Sequence, residues 1–320
     1  MIILIWVDDL ILCTSCIERM NNIKNILCDN FKMKDLGAVN NFLGMKIVQG
    51  KDCIEMDQST YVNKLLKRFD MANSKPRSTP CEQSTSFKVA KPVTDSPRKY
   101  RMIVGSLIYA MSCTRPDLCY IVTRLSQHLD NPTDEDWILI NHVLRYLKGT
   151  VNYKLCYTKS KGGLSLYGYT DSDLGSSIDD RRSTSGFYFS LNSCGPPISW
   201  KTKKQPTVAL SSCEAEYISL AGALQEAIFL NMTLNFIVKQ SSVKIYMDNQ
   251  GAIALSKNNI IHNRSKHIDI KYHFIREKVD DGFLELEYVP SESNVSDLMT
   301  KPCSKVKLSK FMKLLFGERC

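Results

Sequence analysis

Two stretches of this chain end alike, and few folds accommodate both. Leu164–Asp173, LSLYGYTDSD, reads as a β-strand, with Leu164, Leu166 and Tyr169 apolar, an aromatic-rich centre and two glycines in front of it. It ends in Asp171 and Asp173. Val243–Asp248, VKIYMD, repeats that grammar and passes at once into Asn249–Gln250–Gly251 and a helical run. In open α/β sheets, reactive groups collect beyond the carboxyl ends of parallel strands. As parallel neighbours, these two strands bring Asp171 and Asp248 to one end of a sheet. Two carboxylates at that range repel each other unless a cation lies between them. The pair therefore predicts an α/β fold built around a metal site for phosphate chemistry.

The rest of the chain frames that site. Ile2–Val7 and Leu10–Cys13 read as a hairpin whose tip displays Asp8 and Asp9, adjacent acids able to chelate a divalent metal. A helix over Ile17–Phe31 follows, then a second hairpin from Asn41–Val48 and Cys53–Met56. Gln58–Met71 reads as an amphipathic helix, with Tyr61, Leu65, Leu66 and Phe69 on one stripe. Asn73–Asp95, rich in Pro, Ser, Thr and Lys, reads as a linker. Helices are predicted over Arg98–Ser112, Asp117–Leu129 and Asp134–Lys148, the last closed by Gly149. From about Val151 strands dominate. Gly186–Leu191 and Ile198–Lys201 are strand candidates, and Thr207–Leu210 is expected to complete a three-stranded meander. Ser211–Met232 is a long helix on the stripe Tyr217, Leu220, Ala221, Leu224 and Ile228. His262–Lys278 is a basic helix, Phe283–Val289 a strand, and Asn294–Thr300 opens a final helix. This pattern divides the chain into 1–57, 58–150 and 151–320.

Composition bounds the partners. The chain has 320 residues, 43% hydrophobic and 23% charged, with a net charge of +9. An excess of that size suits a polyanion such as nucleic acid. No apolar run approaches bilayer length and no signal peptide is seen, so no membrane partner is expected. Of the twelve cysteines only Cys13 and Cys16 form a C-x-x-C, without a second pair at zinc spacing. The expectation is reduced, mostly buried thiols in an intracellular compartment.

The acids in the third region gather chemistry. Asp171 and Asp248 end strands, a glutamate lies in the first turns of the intervening helix, and Asp297 starts the last helix. Four carboxylates around one sheet end hold two divalent ions about 4 Å apart, one activating water and one stabilising the leaving oxygen. Magnesium suits such all-oxygen ligands. Helical spacing does not choose between Glu214 and Glu216, which flank opposite edges of the apolar stripe. Ser211 with Glu214 three residues on fits a capping box, which favours Glu216 and leaves the choice open.

These residues carry a resemblance. YTDSD at Tyr169–Asp173, DDRRSTSG at Asp179–Gly186, ISWKTKK at Ile198–Lys204, ALSSCEAEY at Ala209–Tyr217, DNQGA at Asp248–Ala252, KHIDIKYHFIR at Lys266–Arg276 and YVPSESNVSDLMTK at Tyr288–Lys301 occur in order. Residues 163–300 thereby resemble the ribonuclease H domain of Ty1/copia retrotransposon Pol polyproteins. Upstream, WVDDL at Trp6–Leu10 is similar to the paired-aspartate box of reverse transcriptases. KDLGAVNNFLG at Lys34–Gly44, VGSLIY at Val104–Tyr109, TRPD at Thr114–Asp117 and LRYLKGT at Leu144–Thr150 resemble the segments that follow the polymerase. The resemblance implies a ribonuclease H-like mixed five-stranded sheet flanked by helices. Before it would come the remnant of a reverse transcriptase palm hairpin and a mostly helical thumb or connection region.

It also implies metal-dependent hydrolysis of the RNA strand of an RNA–DNA hybrid. The catalytic acids would be Asp171, Glu216, Asp248 and Asp297, binding two Mg2+ ions, with Mn2+ a substitute. Asp8 and Asp9 would be half of a polymerase site whose further aspartate precedes this chain, so no polymerase activity is expected. Trp6 stands where tyrosine is usual. No histidine precedes Asp297 in Val289–Asp297, which leaves His267 or His273 to assist turnover, or the metals alone. Lys201, Lys203 and Lys204, with Arg264, Lys266 and Lys271 of the basic helix, are the expected hybrid contacts. The remainder of a Pol polyprotein is an expected partner. The expected location is intracellular, cytoplasmic in a virus-like particle or nuclear. The competing reading is a catalytically inactive, retrotransposon-derived nucleic-acid-binding fragment.

Overall fold

The computed structural model describes residues 1–82, 97–159, 163–193, 195–239, 242–257 and 269–316. Most of the linker predicted at Asn73–Asp95, and Arg264, Lys266 and His267 of the basic segment, lie outside the described residues.

Strands β1 (Ile2–Trp6) and β2 (Asp9–Cys13) form an antiparallel hairpin, followed by α1 (Ile17–Asn30). Three strands, β3 (Asn41–Phe42), β4 (Met45–Gln49) and β5 (Cys53–Asp57), make an antiparallel ladder. Helices α2 (Ser59–Arg68), α3 (Pro97–Cys113), α4 (Cys119–Leu125) and α5 (Asp134–Gly149) share one apolar core. Thr133 and Asp136 close the N-terminus of α5 with a reciprocal capping box. The helix predicted over Asp117–Leu129 is broken into α4 and a 3-10 turn on either side.

One ion pair sits inside this block. Arg115, 1% exposed, donates to both oxygens of Asp117 at 3.0 and 2.7 Å and to Thr150. Tyr146 donates its hydroxyl to Asp117 at 2.7 Å. A buried charge is tolerable only when paired and hydrogen-bonded in this way. Strand β6 (Lys154–Thr158) then returns to pair antiparallel with β5.

The second sheet carries the site. Its strands are β7 (Tyr167–Asp173), β8 (Thr184–Ser190), β9 (Pro197–Lys204), β10 (Val243–Met247) and β11 (Leu284–Tyr288). The spatial order is β11-β10-β7-β8-β9, with β10 parallel to both β7 and β11 and the other pairs antiparallel. This is the mixed five-stranded, ribonuclease H-like sheet the motifs imply.

Helix α6 (Ser212–Leu234) and α8 (Asp269–Asp280) pack one face, burying Tyr217, Leu220, Leu224, Tyr272 and Ile275 against Val243, Ile245, Phe187 and Leu284. Helix α7 (Gln250–Lys257) lies between them. The other face meets α9 (Asp297–Thr300) and α10 (Lys305–Phe316). There Tyr188, Met299, Phe311, Leu315 and Phe316 form a core shared with Leu155 of β6 and Cys119 of α4. Trp200 Nε1 donates to the Met111 carbonyl at 2.9 Å, tying β9 to α3.

Three expectations need correction. Thr207–Leu210 is not a strand; the chain leaves the sheet after Lys204. Pro206 has no amide for a ladder, and Gln205 instead spends its side-chain amide on Ser185 Oγ and the Ala215 carbonyl. Only Asp297–Thr300 of the predicted final helix is helical, because Asn294 turns its side chain onto Ser296 and the Thr170 carbonyl. The thiols are not mostly buried: Cys13, Cys16 and Cys28 are exposed, while Cys81, Cys119 and Cys156 are buried.

Candidate metal centre

Strand register brings the first two acids together. On the parallel pair, Ile245 lies opposite Gly168 and Tyr246 opposite Tyr169. Continuing that register sets Asp248 beside Asp171. Asp171 is 1% exposed and Asp248 half-buried at the rim. Asn249 turns away and caps α7, its Oδ1 accepting from the Ala252 amide at 2.9 Å.

Helix α6 supplies the third acid. Ser211 accepts from the Glu214 amide at 3.2 Å, and the Glu214 carboxylate accepts from the Leu210 amide at 2.9 Å. Glu214 is therefore occupied at the helix entrance. Glu216 instead faces β7, where its Oε1 accepts from the Ser172 amide at 3.1 Å. Ser219, one turn on, donates to the Asp171 carbonyl at 2.8 Å and fixes helix against strand. Asp171, Glu216 and Asp248 each offer an oxygen, all within 4.8 Å of one another.

Asp297 comes from the opposite face. Gly186 pairs with Asp171 across β7 and β8. A Cβ there would meet Met299 Cβ at 2.5 Å and Thr300 Cγ2 at 2.8 Å, so only glycine lets α9 lie this close to the strand. That approach carries Thr300 Oγ1 onto Asp171 Oδ2 as a donor. It also sets Lys301 Nζ 3.0 Å from Asp297 Oδ1 and 3.5 Å from Asp171 Oδ2. Lys307 of α10 reaches the other oxygen of Asp297. The structure thus gathers Asp171, Glu216 and Asp248 as an open triad, and holds Asp297 next to them with both oxygens paired to lysines.

The electrostatics follow from burial. Burial pushes the Asp171 carboxyl up to about 7; the Asp297 charge adds to this, and Lys301 and Thr300 oppose it. Burial, then the charges of Asp171 and Asp248, hold Glu216 well above the ordinary carboxylate range. Burial works against the Lys301 ammonium, but Asp171 and Asp297 beside it outweigh that and raise its pKa. Glu216 Oε2 is buried with no hydrogen-bond donor among the described residues. A buried carboxylate oxygen without a donor, facing two more acids, is an arrangement that suits a cation. Three carboxylates converging within 4.8 Å offer only oxygen donors, the ligand type magnesium takes. The donor set fits a hard divalent ion.

The other expected residues are dispersed. Asp8 and Asp9 sit in and beside the exposed turn of the first hairpin, and no third acid joins them among the described residues. Lys201 and Lys203 alternate with buried Thr202 and point outward. Lys204 lies on the opposite face and pairs with Asp180 at 3.0 Å. The three lysines are therefore not one patch, as the period of two along a strand requires. Lys271 is half-buried and His273 exposed on α8. Thr300, Lys301, Lys307 and Gly186 were not among the expected site residues. Lys301 stands four residues after Asp297, the spacing of a helical ion pair, and was legible on that ground. Lys307 had no local signal.

A family profile described as "Reverse transcriptase (RNA-dependent DNA polymerase)" matches residues 1–83. The chain is 40% identical over 325 aligned residues to the "Retrovirus-related Pol polyprotein from transposon TNT 1-94" of Nicotiana tabacum. That match takes in 97% of this chain and 24% of the polyprotein, so the chain spans about a quarter of the length of that relative. The "Putative transposon Ty5-1 protein YCL074W" of Saccharomyces cerevisiae is 32% identical over 70% of this chain and 73% of its own length. Among solved structures, the foamy viral protease-reverse transcriptase in complex with dsDNA shares the fold at a TM-score of 0.53 and 13% identity, over 90% of this chain and 55% of that one. The chain belongs to the Pol polyproteins of Ty1/copia-type retrotransposons.

Proposed function

We propose that this chain is the ribonuclease H part of a copia-type Pol polyprotein and hydrolyses the RNA strand of RNA–DNA hybrids. One observation carries the reading: Asp171, Glu216 and Asp248, far apart in the chain, offer oxygens within 4.8 Å of one another at one sheet end. Asp297 stands beside them on α9, bridged to Asp171 through Lys301.

When bound there, magnesium, or manganese in its place, supplies the Lewis acid that activates water and stabilises the departing oxygen. The protein's part is to hold the ligands. The Ser172 amide on Glu216 and the Thr300 hydroxyl on Asp171 each hold a carboxylate by a hydrogen bond, and Ser219 on the Asp171 backbone carbonyl fixes helix against strand. The open rim is on the side of half-buried Asp248, where a phosphodiester can approach. Lys201 and Lys203, exposed side by side on β9, fit a phosphate backbone read by shape rather than sequence.

Binding without cleavage is the second reading. It is favoured by the two lysines that occupy both oxygens of Asp297. The test is incubation of the purified chain with an RNA–DNA hybrid labelled on either strand, with Mg2+ or with EDTA. Cuts confined to the RNA strand and dependent on Mg2+ support hydrolysis. Salt-sensitive retention of intact hybrid selects the second reading.

A further inference from the structure

We propose that Lys301 is a built-in cation that fills the position between Asp171 and Asp297, so that the free protein binds a single divalent ion, at the Asp171–Glu216–Asp248 triad. This deepens the metal-dependent reading above and rests on it. Lys301 Nζ lies 3.0 Å from Asp297 Oδ1 and 3.5 Å from Asp171 Oδ2, the place a second ion shared by those two acids would take. Its position is built rather than incidental. The residue before it, Thr300, donates to Asp171, and Gly186 lets that short helix press against β8. Lys307 anchors the far oxygen of Asp297 from a different helix.

Formal charge points the same way. Asp171, Glu216, Asp248 and Asp297, with Asp173 nearby, carry five negative charges when ionised, and Lys301 and Lys307 return two positive ones. One divalent ion leaves the pocket at −1, and a second leaves it positive until a phosphate enters. Lys301 is 35% exposed along its side chain, so it can swing out toward water. The second ion then enters with the phosphate of the hybrid, and Lys301 yields its place. Lys301 is on this account a positioning residue that orders loading. It moves no proton and forms no bond to substrate.

The test counts ions on the free protein, without hybrid and without turnover. Mn2+ is titrated into wild-type, Lys301→Met, Lys301→Arg and Asp248→Asn chains, with unbound Mn2+ read by electron paramagnetic resonance. Folding is checked for each by circular dichroism and melting. Wild type and Lys301→Arg are expected to bind one ion each. Lys301→Met is expected to bind two, the second at least about tenfold tighter than any second ion on wild type, since the unit positive charge that held its place is gone. Two ions of similar affinity on wild type, or one ion on folded Lys301→Met, overturns the inference. Asp248→Asn reports on the triad separately. If it binds its ion as well as wild type, the underlying metal site is wrong, whatever Lys301 does.

Discussion

Asp171 and Glu216 are carboxylates kept where water cannot solvate them, and this has a consequence for stability. Burial, first, and neighbouring acids hold both pKa values above their ordinary ones, Asp171 at about 7. A carboxyl whose pKa is higher in the folded than in the unfolded chain binds its proton more tightly when folded. Its contribution is full below about pH 4 and is lost as pH rises through about 7. In EDTA the chain should therefore melt lower at pH 8 than at pH 5 from this source, and Mg2+ should restore the difference. Thermal melts at the two pH values check this; an equal Mg2+ shift at both would contradict it. Glu216→Gln keeps an oxygen for the Ser172 amide and removes the charge, so it should raise the melting temperature of the metal-free protein at pH 8. It should also abolish the Mg2+ shift. Much of this site was legible in residues alone. Asp171 and Asp248 end strands of like pattern, and the capping box at Glu214 favoured Glu216 without deciding between them. The lysines on Asp297 were not, because Lys307 arrives from α10, whose docking no local pattern specifies.

Elements set which of those residues meet. Helix α9 has only four residues and owes its place to Gly186. Gly186→Ala should force α9 away from β8, costing about 1–3 kcal/mol as other overpacked contacts do. Hybrid cleavage should fall more than the loss of folded protein explains, as Thr300 and Lys301 leave Asp171. Melting and activity measured on the same preparation separate the two effects. On β9 the alternation of faces makes a second prediction. Lys201→Gln with Lys203→Gln should lower the slope of log affinity against log salt by about 1–2. Lys204→Gln should leave the slope unchanged, because Lys204 is turned to Asp180. Equal effects from the two variants would remove β9 from the interface. This division was readable from a strand period of two, yet a run of lysines in sequence looks like one patch. The failed strand at Thr207–Leu210 was readable too, from Pro206, which breaks the ladder before it starts.

At the scale of the whole molecule, the helical block and the ribonuclease H-like sheet share a core. Cys119 of α4 and Leu155 of β6 pack with Tyr188, Phe311 and Phe316, and Arg115 borders this joint with its guanidinium over the Tyr153 ring. A charged residue in a T-R-P-D turn reads as exposed, so its burial was not legible. Only the closed fold reveals that Thr150 and Tyr146 complete its shell. Asp117→Ala leaves Arg115 buried without its counter-ion and should cost about 3–5 kcal/mol. A urea titration measures that loss, and a change under about 1 kcal/mol would make the joint incidental. The sheet order was legible from paired acid-ending strands, and the central claim concerns what gathers at its end. The most direct test is cleavage of a labelled RNA–DNA hybrid by wild type and Asp248→Asn across a Mg2+ titration. The account predicts RNA-strand cleavage by wild type that rises with Mg2+, and a loss of at least about 100-fold in the variant, which removes one charged ligand of the triad. Cleavage by Asp248→Asn at the wild-type rate would contradict it.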